Sequence, residues 1–152
     1  MLAMKAKYGL RALVALAREH GNGPVLIAGL ATSETIPRKF LELILLDLKR
    51  KGILESKKGR GGGYNLSRPP SLISLGDVIR ALDGPIALLP CVSQTAYKRC
   101  EECVDELTCG IRLVMKEVRD STAAIFDGTT LEDLLNRSRQ MAETRGPVMY
   151  HI

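Results

Sequence analysis

Tryptophan is absent from this 152-residue chain and aromatic residues make up only 4% of it, so its core must be aliphatic. No uninterrupted apolar stretch approaches the roughly 18 residues that a membrane-spanning helix needs, and no membrane partner is expected. The opening MLAMKAKYGLRALVALA has a modest apolar run broken by charges, unlike a secretory signal. The expected location is therefore cytoplasmic, where structural disulfides are disfavoured. Histidine is scarce: His20 reads as a surface residue at a helix end, and His151 lies in a tail without pattern. No nucleophile is paired with a base, and no lysine followed by Ser/Thr closes the glycine run. Neither an enzyme nor a P-loop nucleotide site is expected.

What charge there is lies unevenly. From Met1 to Arg68, thirteen Lys/Arg stand against five Asp/Glu, whereas from Pro69 to Ile152 nine stand against twelve. A basic first half favours a polyanionic partner, and the acidic remainder argues against a protein that coats nucleic acid with its whole surface.

The stretch from Ser33 to Leu66 carries the clearest pattern. SETIPRKFLELILLDLKRKG offers polar cap candidates, a proline placed for a first helical turn, and apolar residues at helical spacing: Ile36, Phe40, Leu41, Ile44, Leu45 and Leu48. Gly52 stops the helix after Lys49, Arg50 and Lys51. ILESKKGRGGGYNLSRPP then has two short apolar ends joined by a glycine-rich tip bearing Lys57, Lys58 and Arg60. A helix followed by a basic-tipped hairpin is the outline of a winged helix-turn-helix that binds double-stranded DNA, the helix entering the major groove and the wing lying over the backbone or minor groove. Arg38 and Lys39 sit near the helix start, where side chains reach base edges, with Glu42 placed to orient Arg38. Gly61 and Gly62 allow close backbone approach, and Tyr64 and Leu66 pin the ribbon to the core.

Before this stretch, residues 3–19 read as a helix with an apolar face of Leu10, Leu13, Val14 and Ala17, and Val25 to Thr32 as a short helix bracing the reading helix. After it, Ser74 caps a helix to Leu82. Residues 86–106 form a loop, and from Leu107 a long helix carries Ile111, Val114, Met115, Val118 and Ile125 as an apolar stripe. Such a stripe, with little of its own domain to pack on, is most readily buried against the same helix of a second subunit, giving a homodimer. Leu131, Leu134 and Leu135 mark a last helix. The predicted fold is mainly α with a small β-wing. The expected division is a DNA-binding domain at 1–84, a sensor loop at 85–106, a dimerisation helix plus C-terminal helix at 107–143, and a tail at 144–152.

Cys91, Cys100, Cys103 and Cys109 fall within nineteen residues, separated by eight, two and five others. In a cytosolic protein a CxxC pair flanked by two more cysteines reads as a metal or cluster site, and spacing alone does not choose between zinc and iron–sulfur. A thiol redox switch without metal, or no ligand at all, are the remaining readings. Lys98 and Arg99 are placed to offset the charge of a cysteinate-bound cluster.

YGLRALVALA at Tyr8–Ala17, IPRKFLELIL at Ile36–Leu45, KRKGILESKKGRGGGYNL at Lys49–Leu66 and SLGDVIRALDG at Ser74–Gly84 together resemble the winged-helix transcription regulators related to IscR, NsrR and CymR. The resemblance covers roughly residues 1–130. It implies a homodimer that reads a partly palindromic operator, its long helices crossed at the interface, and a cluster held by three loop cysteines plus one further ligand. Cys91, Cys103 and Cys109 match those three. The family's alternative fourth ligands fall here on Arg112 and Lys7, which cannot serve, and Cys100 is the natural replacement in an all-cysteine [2Fe–2S] or [4Fe–4S] site. Departures from the family pattern are Lys58 where arginine usually precedes the wing's first glycine, Pro37 in place of serine and Phe40 in place of tyrosine. They leave the fold intact and leave operator identity open. The function expected is a DNA-binding transcription regulator that senses redox, nitric oxide or iron–sulfur status. The alternatives are a thiol- or zinc-based regulator and a small electron-transfer protein, the latter having no use for a wing.

Overall fold

The computed structural model describes residues 1–146, and His151 lies outside them. Its elements run α1 (Met4–Arg18), α2 (Ile27–Glu34), α3 (Arg38–Arg50), β1 (Leu54–Lys57), β2 (Gly63–Leu66), α4 (Leu75–Leu82), α5 (Gly110–Gly128) and α6 (Leu131–Arg145), with single 3₁₀ turns at Pro70–Leu72 and Pro90–Val92. The fold is mainly helical with one two-stranded antiparallel sheet. The expected mainly α, winged architecture is what is found.

Small residues set how closely the helices approach. The buried face of α1 is Ala6, Gly9, Ala12, Leu13, Leu16 and Ala17, while Leu10 and Val14, expected on the core face, are only half-buried at its margin. A Cβ on Gly9 would collide with the side chain of Leu82, so glycine there lets α4 settle onto α1 while α3 packs beside it. Lys5 of α1 pairs with Asp47 of α3 at 2.5 Å, and that bond holds the Asp47 carboxyl below its ordinary pKa. Leu41, Ile44, Leu45 and Leu48 of α3 are fully buried, each contributing about 1.5–3 kcal/mol through burial.

Three boundaries differ from the sequence reading. Val25 does not begin α2. It lies extended and exchanges two backbone hydrogen bonds with Tyr64 (2.8 and 2.9 Å), adding a third short rung to the wing. Ile36 and Pro37 precede α3 rather than forming its first turn: Pro37 disfavours helical geometry at Ile36, and its own ψ of 124° makes it the cap. α5 starts at Gly110, not Leu107, because Cys109 is extended and caps it.

Where the ends were legible they close as expected. Gly52, at φ 75°, donates to the Lys49 carbonyl and Ile53 to that of Leu48, the paired bonds of a Schellman stop. Ser74 with Asp77, and Thr130 with Asp133, form reciprocal capping boxes. The wing pairs Leu54 with Leu66 through Lys57 with Gly63. Gly63 sits at φ 144°, and a Cβ there would press into the Val25 carbonyl. Gly63→Ala is expected to cost about 2 kcal/mol, lowering the thermal midpoint by about 4–8 °C; an unchanged melt would contradict this account of the wing.

α6 was expected to group with α5, and its packing differs. Leu131 and Leu135 enter the core shared by α1, α3 and α4, and Leu75 and Leu131 donate across to Thr129 and Ile73. Residues 144 and 145 complete this helix instead of opening a tail. α5 rests on the rest of the chain mainly through α4 and the Pro90–Val92 turn.

Candidate functional site

Two sites emerge. The first is basic. α2 braces α3 through a turn in which Thr35 takes the left-handed conformation, leaving one long side of α3 exposed. Arg38 donates to Glu42 at 3.3 Å, the orienting contact anticipated from their spacing. Lys39, Lys57, Lys58 and Arg60 are exposed and form no ion pair with any described residue. Their charge is therefore available to an external anion. Lys49 reaches across to Ser56 Oγ at 2.6 Å, tying the end of α3 to the wing. Gly59 and Gly61 adopt positive φ to turn the tip, and Gly62 is buried against the Lys57 and Gly59 carbonyls. Tyr64 is half-buried against the core, with part of its ring left outside.

The second site is the cysteine segment, more ordered than the plain loop expected. Cys91 is buried in the Pro90–Val92 turn; Cys103 and Cys109 are half-buried and Cys100 is exposed. All four are free thiols and line one cavity of about 500 Å³, walled by Leu89, Val104, Ile111 and Arg112 among others. Cys109 caps α5, its sulfur accepting the backbone N–H of Arg112 at 3.5 Å. The positive end of a nineteen-residue helix therefore opens on the cavity and favours an anionic occupant. Cys103 N–H donates to the Cys100 carbonyl at 3.2 Å, closing the CxxC as a turn. The Cys100 thiol donates to Glu102 at 3.3 Å, which raises the thiol's pKa and lowers the carboxyl's.

Whether these residues suit a metal centre has two answers. In kind they do: four soft donors line a single cavity beside a guanidinium. In position they are incomplete, because among the described residues no three Cys, His, Asp or Glu side chains converge to hold an ion. Ligation by all four would require Cys100 to give up its hydrogen bond to Glu102.

The expected charge compensation is also placed differently. Arg99 donates to the Cys103 and Val104 carbonyls and Lys98 faces Glu101, while Arg112 lines the cavity itself. Arg112 Nε reaches the Cys91 carbonyl at 3.3 Å and Arg119 that of Val92 at 2.5 Å. Seven residues apart, they share a helix face and fasten the first cysteine's turn to α5. Sequence reading missed Arg119, and the i, i+7 spacing to Arg112 was its only signal. It also missed the two-bond Arg80–Asp127 pair (2.7 and 2.8 Å) that locks α4 to α5. Among the apolar residues of α5, Ile111, Val114, Val118 and Ile125 are 38–67% exposed and lie along one side, whereas Met115 turns toward the body and is half-buried.

Comparison with known proteins bears directly on this arrangement. Residues 2–137 match the family model Rrf2, described as an iron-dependent transcriptional regulator. The chain belongs to the Rrf2 family. A Rhodobacter capsulatus protein described as an rrf2-like HTH-type transcriptional regulator is 44% identical over 138 residues, covering 89% of this chain and 92% of that one. CymR of Bacillus subtilis is 32% identical over 133 residues, 88% of each. Among solved structures, B. subtilis CymR superposes with TM-score 0.75 at 31% identity (90% and 97% covered), and T. potens IscR with 0.73 at 28% (91% and 88%). This Rrf2 chain is thus a DNA-binding transcription regulator and not an enzyme. No helix among its described residues is long and apolar enough to cross a membrane.

Proposed function

We propose that this Rrf2 regulator acts in the cytoplasm as a homodimer, that α3 and the wing read a partly palindromic operator, and that Cys91, Cys100, Cys103 and Cys109 hold an iron–sulfur cluster, [2Fe–2S] or [4Fe–4S], whose state sets DNA affinity. The observation that carries the reading is that four free thiols line one cavity at the N-terminal end of α5. When bound, a cluster would supply a redox-active centre that oxidants and nitric oxide can attack. The chain's own residues do the rest. Arg112 and Arg119 couple the Cys91 turn to α5, the Arg80–Asp127 pair couples α5 to α4, and α4 packs against α1 and α3. Two arrangements of α5 on α4 then correspond to two spacings of the reading heads, which both the cysteine site and the operator bias.

In the operator complex, Arg38 and Lys39 face base edges, with Lys57, Lys58, Arg60, the Gly61–Gly62 backbone and the open edge of Tyr64 against the phosphates or minor groove. Binding should weaken by about a thousandfold or more between roughly 50 and 200 mM salt. Arg60→Ala should flatten the slope of log K against log salt by about two in the dimer, one phosphate per wing. An unchanged slope removes Arg60 from the backbone contacts.

A second reading, a thiol- or zinc-based regulator, draws support from Cys100 being held by Glu102 and from the likeness to CymR, described as a global cysteine regulator and also solved in an oxidised form from Staphylococcus aureus. The readings part on composition. Protein purified without air should contain iron and acid-labile sulfide and absorb visible light; a colourless, iron-free dimer, with stoichiometric zinc or with none, decides for the second.

A further inference from the structure

We infer that Leu43, with Leu46 beside it, reads thymine in the major groove. The inference rests on the operator reading above and goes beyond its charged contacts. Three leucines of α3, Leu41, Leu45 and Leu48, are buried, yet Leu43 is 60% and Leu46 36% exposed, and neither belongs to the core. At 100° per residue the buried residues centre on one side of the helix, and Lys39, Leu43, Leu46 and Arg50 run along the opposite side at i, i+4, i+7 and i+11. The outermost line of the helix is thus apolar in its middle and cationic at both ends.

A scattered surface leucine needs no explanation. Two at the outward pole of this helix do, because that pole enters the groove if the helix reads DNA at all. The surroundings select the occupant. Among the described residues, Lys39 on the same line and Lys57, Lys58 and Arg60 on the wing have no ion-pair partner, which suits a polyanion with an apolar feature at its centre. A duplex offers phosphates at the groove walls and, on its floor, one aliphatic group: the 5-methyl of thymine. Leu43 lies in the second turn, within the part of a reading helix that reaches base edges. A leucine cannot hydrogen-bond a guanine or cytosine edge, and pressed against one it would leave the base's polar atoms without partners.

The test uses the full-length dimer. Duplexes are selected from a random pool, and the recovered operator is remade with deoxyuridine at each thymine in turn, which removes only the methyl group. The native protein should lose about fourfold in affinity at the thymine each Leu43 meets. Leu43→Ala, which removes the contact from both subunits, should bind the thymine operator more weakly by about sixteenfold and no longer tell the two duplexes apart, with its salt slope unchanged because no phosphate contact is lost. Leu43 is exposed, so the variant keeps its fold. Equal affinity of the native protein for every thymine and deoxyuridine pair overturns the inference, as does Leu43→Ala retaining the discrimination. A pool that yields no bound duplex overturns the operator reading itself, and this inference with it.

Discussion

Replacing Val114 and Ile125 together by glutamate is expected to yield a folded monomer whose operator affinity has dropped at least a hundredfold. No residue of α5 is fully buried, although it is the longest helix among the described residues, and its exposed line of Ile111, Val114, Val118 and Ile125 is continuous. None of those side chains belongs to the hydrophobic core, so charging Val114 and Ile125 should spare the fold. In a two-fold dimer the same substitutions bring like charges face to face across a dry seam, and burial of unpaired carboxylates is strongly unfavourable. The loss of DNA affinity follows from geometry. One reading head docks on one half-site, and the second is delivered at high effective concentration only while the heads are joined. Sedimentation or light scattering gives the mass, far-ultraviolet circular dichroism the fold, and a gel-shift titration the affinity. A variant that stays dimeric with native affinity would assign the seam elsewhere.

Cys103→Ala is the second substitution with a large expected effect. Cys103 lies half-buried where the CxxC turn meets the cavity, and its N–H already binds the Cys100 carbonyl. Losing it removes one of the four sulfur donors and leaves the turn otherwise whole. The variant should purify without iron or visible absorbance, remain dimeric, and differ from the loaded native protein in operator affinity by about 5- to 150-fold, the usual range of coupling between two sites. Native protein stripped of iron should match it. A variant that keeps its iron would show that Cys103 is not a ligand, and one that loses iron without altering affinity would separate the centre from DNA binding.

Much of this was legible in the residues. Period-3.6 spacing located α3 because its core face is four large aliphatics, and Gly52 marked its end because a Schellman stop needs the left-handed conformation that glycine adopts freely. The wing was legible for a similar reason, since its tip needs several positive φ values. What escaped was non-local. Val25 looked helical by composition, and only its pairing with Tyr64, thirty-nine residues on, makes it a strand rung. The place of α6 was hidden because its leucines fit any apolar surface. The core it joins is assembled from α1, α3 and α4, far earlier in the chain. At the cysteine site the donors were plain from their type and spacing, but their supports were not. Arg112 and Arg119 act on backbone carbonyls, which leave no mark in the sequence, and the Arg80–Asp127 pair joins residues forty-seven apart. Gly76 is part of that pair's setting, since a Cβ there would intrude on both side chains.

The central claim is that the cysteine cavity holds an iron–sulfur centre and that its presence changes how the dimer grips DNA. The most direct test is a single anaerobic preparation, assayed for iron and acid-labile sulfide and titrated against its selected operator at fixed salt before and after the iron is removed. The account predicts iron and sulfide in comparable amounts and a change in affinity of at least fivefold on their removal. An iron-free preparation whose affinity stays the same when all four cysteines are replaced would contradict it.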